Sequence, residues 1–288
     1  MNRKRFVDSY LKKVFRVVKN YRLVEKKDKI FVAVSGGKDS TAALFSLKKF
    51  IEETTIDCEL KVFHINFDLP VWKDVEKVIK KQAELAKVET VVIHLKDFGI
   101  SLEEIAKKVR RPICSCCGVI KRYLMNKIPR EMGATKIATG HNMDDFIVFF
   151  FKNLLSQKFE WIAKFKPLLP STHPKMLCKI RPLFEVSRDE NEKFCKILKI
   201  PFVREDVCPY SYIKYGLDKN REKWYQTIDG IEKWNRNFKI SMIRAIEKMS
   251  NYFRQPPEEI KTCLKCGEPS SQEVCGFCKI LMESKEKI

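Results

Sequence analysis

The chain predicts an α/β protein built on a doubly wound parallel sheet, with a small cysteine-rich module at its C-terminus. Three observations predict it. From residue 30 to about 155, short apolar β-branched runs alternate with longer amphipathic stretches, the pattern of a parallel sheet with helices on both faces. The first run, Phe31-Val32-Ala33-Val34, leads into Ser35-Gly36-Gly37-Lys38-Asp39-Ser40, which reads as a strand, a tight glycine turn and the start of a helix. Near the other end, Cys263-x2-Cys266 and Cys275-x2-Cys278 stand eight residues apart.

Taken in order, residues 1–29 carry eleven Lys or Arg against three acids. Phe6, Tyr10, Val14, Val17 and Tyr21 recur there at helical spacing, so a basic amphipathic helix forms the first unit. The α/β domain spans 30–210. Strands are expected at 30–34, 60–66, 90–95 and 135–139, with a short last strand at 200–204. Helices are expected at 39–51, 73–87, 118–131, 142–155 and 187–198. Residues 156–182, with prolines at 167, 170, 174 and 182, read as a long loop. Residues 211–260 form a helical region rich in Trp, Lys and Arg, and 261–280 a module of their own.

Composition narrows the function. The chain has 288 residues and a formal charge of +20, a surplus that favours a polyanionic partner such as nucleic acid. No run of about 18 apolar residues exists, which argues against a membrane span. The basic N-terminus has no signal-type apolar core, so a cytoplasmic location is expected. Eleven cysteines in such a compartment point to metal binding rather than disulfides. Cys58, Cys178 and Cys195 stand alone and read as small core or surface residues.

Four motifs carry chemistry. Ser35 to Ser40, between a strand and a helix N-terminus, is an anion cradle whose natural ligand is a phosphate chain, with Lys38 as an added cation and Asp39 and Ser40 placed to cap the helix. It is not a Walker A loop, because its glycines are adjacent. Cys263, Cys266, Cys275 and Cys278 supply four thiolates for one tetrahedral, structural Zn²⁺, with Gly267 and Gly276 at the expected turns. Cys114-Ser115-Cys116-Cys117 contains a third C-x2-C pair, and Cys208 is expected at the same sheet edge. By spacing alone, these three thiols fit either a [4Fe–4S] cluster with one iron open or a metal-free persulfide pair. Thr139-Gly140-His141-Asn142-Met143-Asp144-Asp145 opens a helix at a strand end; its carboxylates can hold Mg²⁺ or steer a proton, and Asn142 can cap the helix.

Together, SGGKDS at 35–40, C-S-x-C-G-x-x-K-R-Y at 114–123, A-T-G-H-N-x-D-D at 138–145, Cys208-Pro209 and the terminal cysteines resemble the PP-loop tRNA 2-thiouridine synthetases. These are ATP pyrophosphatase-fold enzymes of the thermophile ribothymidine 2-sulfurtransferase and cytosolic wobble-uridine thiolase types. The resemblance implies an ATP-dependent tRNA sulfurtransferase. It would adenylate the C2 oxygen of a uridine, release pyrophosphate and deliver sulfur through a [4Fe–4S] cluster, forming AMP. The implied cluster ligands are Cys114, Cys117 and Cys208, and the implied catalytic residues are Lys121 and Asp145 beside Lys38. The implied ATP contacts are Ser35, Gly36, Gly37, Lys38, Asp39, Ser40, Ile65, Gly140 and Asp145, with Mg²⁺ on the phosphates. A ubiquitin-like thiocarboxylate protein is the implied sulfur donor, and the oligomeric state, homodimer included, stays open. The chain departs from the family in having no cysteine before Cys58, so no first zinc finger, and in the extra Cys116. The related 2-thiocytidine synthetases lack the terminal zinc module. A PP-loop ligase of small carboxylates would need neither cluster ligands nor the basic surplus, and a non-catalytic RNA-binding protein would need no intact SGGKDS.

Overall fold

A computed structural model describes residues 3–203, 208–210, 219–253 and 260–285. Its centre is β1 (Lys29–Ala33), whose Ile30, Phe31 and Val32 are fully buried, as an apolar run flanked on both sides demands. On one side lie β2 (Glu59–Asn66) and then β3 (Glu89–His94); on the other, β4 (Lys136–Ala138). All four are parallel, and Val32 pairs with both Val62 and Ala138. The sheet continues through β6 (Cys178–Ile180), parallel to β4, to an antiparallel edge strand β5 (Leu168–Leu169). Order β3-β2-β1-β4-β6-β5 reverses direction at β1, so the ends of β1 and β4 face a crevice where such sheets bind ligands.

Two strand expectations are corrected. The stretch 156–182 is not a plain loop: it holds a 3₁₀ turn at Phe159–Lys164 and both edge strands. They are two and three residues long, below the length at which alternation can be read. Between 200 and 203 the chain makes a single parallel bridge, Val203 to Gly37, rather than a strand, and Arg204 lies outside the described residues.

The helices are α1 (Arg3–Asn20), α2 (Lys38–Thr54), α3 (Pro70–Ala86), α4 (Leu102–Lys108), α5 (Ile113–Glu131), α6 (Met143–Leu155), α7 (Arg188–Ile197), α8 (Lys219–Trp234), α9 (Phe238–Ser250) and α10 (Gly276–Lys285). In α1, Phe6, Tyr10, Val14 and Val17 form the buried stripe that the periodicity called for, joined by Leu11 and Val18, while Tyr21 falls in the turn after the helix and is half-buried. At about 1.5–3 kcal/mol per buried side chain, that stripe makes α1 a core element rather than a loose arm. It packs on α2 and α7, while α4, α5 and α10 pack together elsewhere on the sheet. The expected helical region consists of two helices after residue 219, separated at Asn235–Asn237. Helix α4, capped by Ser101 and only seven residues long, was not foreseen.

Candidate active site

Ser35–Ser40 folds as a loop held by its own side chains. The Ser40 hydroxyl accepts from Ser35 N at 3.1 Å and donates to the Gly37 carbonyl at 3.1 Å; Thr41 Oγ1 donates to the same carbonyl at 2.8 Å. Gly36 sits at φ +83°, a left-handed conformation that glycine adopts without strain. Helix α2 starts at Lys38 with Gly37 as its N-cap and no side-chain cap. Asp39 and Ser40 therefore lie inside the first turn and do not cap it, contrary to the sequence expectation. The consequence is functional: the first-turn N–H groups are not covered by a capping oxygen and can serve an anion, helped by the helix dipole.

Gly140, after β4, presses against this loop. A Cβ there would stand 2.6 Å from Ser40 N and 2.7 Å from the Asp39 carbonyl carbon, both backbone atoms that cannot move aside cheaply. We expect Gly140→Ala to push the two loops apart, at about 1–3 kcal/mol of overpacking. ATP affinity should drop at least about tenfold, measured by calorimetry on a protein whose thermal unfolding is still cooperative. Unchanged affinity would show that the loop spacing is irrelevant to nucleotide binding.

Between the loop, the end of β2, the middle of α5 and the start of α6 lies a cleft of about 480 Å³. Of the residues expected at the site, Ser35, Asp39, Ser40, Ile65, Lys121, Gly140 and Asp145 line it. Gly36, Gly37 and Lys38 do not; the Lys38 ammonium lies 3.6 Å from Asp39 Oδ2. The cleft wall also carries His64 and Trp72. His64 Nδ1 lies 2.9 Å from the Val34 carbonyl, which can only accept, so Nδ1 bears the proton. Burial holds the ring neutral, pushing its pKa down to about 4, so Nε2 is an acceptor. Among the described residues neither that nitrogen nor the Trp72 indole N–H has a hydrogen-bond partner, although both are buried. An acceptor and a donor, each without a partner on one wall, suit a planar polar ligand such as a nucleobase.

Asp145 starts α6 in a capping box with Asn142, whose backbone N–H donates to Asp145 Oδ2 at 3.2 Å. Its other oxygen accepts from Tyr225 OH at 2.7 Å and Arg221 Nη2 at 2.9 Å, both on α8. Arg221 lines the cleft too, so α8 closes one side of it. Arg221 and Tyr225 had no distinguishing signal in the sequence; Asn-Arg-Glu-Lys-Trp-Tyr reads as any basic helix. The adjacent carboxylates diverge. Asp144 is fully buried, 2.8 Å from the Lys239 ammonium of α9, and accepts from Arg188 N. About 100° of rotation around the helix axis separates the two side chains, so Asp144 braces α6 against α9 while Asp145 lines the cleft.

Cys114, Cys116 and Cys117 occupy the first turns of α5, not a loop ahead of it, because that helix begins at Ile113. Three residues apart, Cys114 and Cys117 share one helix face. Cys114 Sγ donates to the Tyr210 carbonyl at 3.1 Å, which brings the segment with Cys208 against this face. Burial raises the Cys117 pKa, Lys121 opposes the rise, and the Cys208 and Cys114 sulfurs add to it, so Cys117 stands near all three side chains. Among the described residues these three sulfurs do not form a group within 4.8 Å of one another, as the four terminal cysteines do. Cys116 turns away: it is buried, with its thiol near the Arg111 carbonyl.

Among the described residues, Cys263, Cys266, Cys275 and Cys278 are the one set with metal-ligand spacing, their sulfurs all within 4.8 Å. Backbone N–H groups of Cys275 and Cys278 point at sulfurs of Cys263 and Cys275 at 3.2 and 3.4 Å. For Cys263 burial opposes ionisation, but N–H donors from Cys275, Cys266 and Lys265 outweigh it and bring the thiol down to about 6. Thiolate-stabilising donors and a closed four-sulfur set fit Zn²⁺. Gly267 has the expected turn geometry at φ +70°. Gly276 does not: a Cβ there would meet Val119 Cγ1 of α5 at 3.1 Å, so its smallness serves packing.

Comparison with known proteins agrees with this arrangement. A family model described as the PP-loop domain matches residues 7–209. The tRNA-5-methyluridine(54) 2-sulfurtransferase of Pyrococcus horikoshii is 33% identical over 285 residues, covering 98% of this chain and 87% of that protein. The enzyme of the same name from Thermotoga maritima is 28% identical over 278 residues, covering 96% and 88%. Among solved structures, the U34-tRNA thiolase NcsA from Methanococcus maripaludis with its [4Fe-4S] cluster superposes with a TM-score of 0.78 at 26% identity, covering 97% of this chain and 88% of that one.

Proposed function

The chain belongs to the PP-loop tRNA sulfurtransferases, and on that premise we propose that it replaces the C2 oxygen of a tRNA uridine with sulfur at the expense of ATP. The observation that carries the reading is one juxtaposition: Lys121 lines the cleft together with Ser35, Ser40 and Asp145, and it also lies against Cys117, whose surroundings include the sulfurs of Cys114 and Cys208. A nucleotide ligase needs the phosphate loop and not the thiols.

In this reading Ser35–Ser40 and the first turn of α2 bind the triphosphate. Asp39 and Asp145, the carboxylates that line the cleft, are the residues that would meet its Mg²⁺. Lys38 reaches the phosphates by leaving Asp39, and balances charge on the departing pyrophosphate. Ile65 and Gly140 border the nucleoside. The target uridine leaves its stack to enter the cleft, as base-modifying enzymes require, and its C2 oxygen attacks the α-phosphorus. Cys114, Cys117 and Cys208 would hold a [4Fe–4S] cluster, which supplies an open iron able to carry sulfide. Lys121 lies between these thiols and the cleft, where it stabilises negative charge at C2 or moves a proton. Cys263, Cys266, Cys275 and Cys278 hold a structural Zn²⁺.

A thiocarboxylate on a ubiquitin-like protein is the proposed donor, and the proposed location is the cytoplasm; no described helix is long and apolar enough to cross a membrane. The decisive experiment is nucleoside mass spectrometry of tRNA incubated anaerobically with the enzyme, Mg·ATP and sulfide. The expected products are 2-thiouridine or its 5-methyl derivative, AMP and pyrophosphate. Thiolated cytidine, or ADP with orthophosphate, would overturn the reading.

The charge surplus enters through tRNA, whose affinity should fall steeply with salt. Helix α1 contributes little to that slope. Lys13 pairs with Glu190 at 2.6 Å, Arg16 pairs with Glu185, and the apolar face of the helix is spent on the core. We expect neutralising Lys12, Lys13 and Arg16 together to change the slope of log affinity against log salt by about one contact or less. A loss of three contacts would make α1 an RNA-binding arm.

A further inference from the structure

Helix α1 reaches the phosphate loop through a buried relay. Tyr10, 1% exposed, stacks on Phe194 of α7 with ring centres 4.3 Å apart. Its hydroxyl donates to Asn191 Oδ1 at 2.7 Å. Asn191, also on α7 and fully buried, donates through Nδ2 to Asp39 Oδ1 at 2.8 Å. Asp39 Oδ2 lies 3.6 Å from the Lys38 ammonium, and Asp39 lines the cleft. Helix α7 touches the loop a second time, where Cys195 Sγ donates to the Lys38 carbonyl at 3.5 Å.

Each link follows from donor and acceptor count. An ionised carboxylate only accepts, so Asn191 must turn its Nδ2 toward Asp39. That leaves Asn191 Oδ1, a buried acceptor, facing α1. The phenol of Tyr10 is the donor that meets it. Without the hydroxyl, the amide keeps its bond to Asp39 only by burying a bare oxygen, which costs more than the bond itself contributes. Asn191 then tilts or flips, and Asp39 loses the fixed orientation of one oxygen. A carboxylate beside a triphosphate helps binding when an oxygen faces the metal and hinders it when that oxygen faces a phosphate, so its orientation matters.

We propose that Tyr10 is a positioning residue for the nucleotide site: through Asn191 it fixes the Asp39 carboxylate for a nucleoside triphosphate bound as its Mg²⁺ complex. The proposal rests on the ATP reading of the cleft and makes α1 part of the phosphate site. The test is calorimetry of Mg·ATP binding to the full-length, anaerobically prepared protein. Wild type should bind. Tyr10→Phe, which keeps the ring and its stack, should raise the Kd for Mg·ATP about three- to tenfold, with iron content and tRNA affinity unchanged. Asp39→Ala should weaken binding as well, and adding Tyr10→Phe to it should cost nothing further, because the relay then has no end. Asn191→Ser serves as the second variant if thermal unfolding shows Tyr10→Phe to be poorly folded, and the same shift is expected. Equal Kd values for wild type and Tyr10→Phe, or losses that multiply in the double variant, would overturn the relay. If wild type itself fails to bind Mg·ATP, the ATP reading falls and the relay with it.

Discussion

Replacing Cys208 with serine is expected to abolish tRNA thiolation, by roughly a hundredfold or more, while leaving part of the AMP and pyrophosphate formation intact. Cys208 lies 91 residues from Cys117 in the chain, and only the fold brings their surroundings together. The Cys114 thiol bonds to the Tyr210 carbonyl, and the Cys117 sulfur senses both Cys208 and Lys121. A cluster held by two thiolates of one helix and one of a neighbouring segment loses its third anchor in the serine variant, since a hydroxyl is a poor iron ligand at neutral pH. Iron and acid-labile sulfide content should fall accordingly. In the proposed mechanism, activation of the uridine depends on the phosphate loop and Asp145 and not on Cys208, so pyrophosphate release should survive. Cys116→Ser is the internal control. Its thiol is buried and turned toward the Arg111 carbonyl, away from the other three, so iron content and thiolation should stay near wild type. Full-rate thiolation by iron-free, anaerobically handled protein would instead make these thiols a persulfide relay.

Much of this arrangement is legible in the sequence, and the reasons differ from residue to residue. The loop Ser35–Ser40 could be placed because a buried strand must precede it and a helix must follow, and a parallel sheet brings strand ends to one edge. Gly140 and Ile65 came with that edge. Cys263 to Cys278 were readable from spacing alone, because four thiolates within sixteen residues admit few other geometries. What escaped is what depends on packing at long range. Arg221 and Tyr225 bond Asp145 from α8, 76 and 80 residues away, and the pattern of α8 says only that it is helical and basic. Tyr10 was read correctly as a buried stripe residue, yet periodicity says nothing about its hydroxyl. Asp144 and Asp145 looked equivalent as neighbours in sequence; the helix sends one to Lys239 and the other to the cleft. The two short edge strands escaped for a simpler reason, since two or three residues carry no period.

Removing the zinc, by a chelator or by Cys275→Ser, is expected to cost more than the local fold of the C-terminal module. The sequence suggests a module of its own whose unfolding weakens tRNA binding and leaves ATP binding intact. In the structure the unit leans on α5, the helix that also carries Cys114, Cys117 and Lys121. Phe277 stacks on Tyr123 with ring centres 4.0 Å apart and planes 2° from parallel. Arg130 holds Glu268 by two hydrogen bonds of 2.7 and 2.8 Å, and Glu268 is only 5% exposed. Gly276 abuts Val119. A module of this size has no core that survives without its metal, so these three contacts go together. The stack contributes about 0.5–1.5 kcal/mol, and breaking a buried ion pair costs about 3–5 kcal/mol when one partner stays buried. Here Arg130 and Glu268 both return to water, so the loss is smaller, but α5 is left without support along one face. Tyr123 stands six positions beyond Cys117, less than two turns, so loosening there reaches the cluster ligands. Zinc-depleted protein should therefore lose iron as well as zinc, and thiolation should fall with the iron, while Mg·ATP affinity changes only a few-fold because the phosphate loop rests on α2 and α7. Phe277→Ala separates the two metals, since it removes the stack and keeps all four thiolates. Zinc should be retained and iron occupancy should still decline. Full iron occupancy in both variants would mean that the module and the cluster helix are mechanically independent.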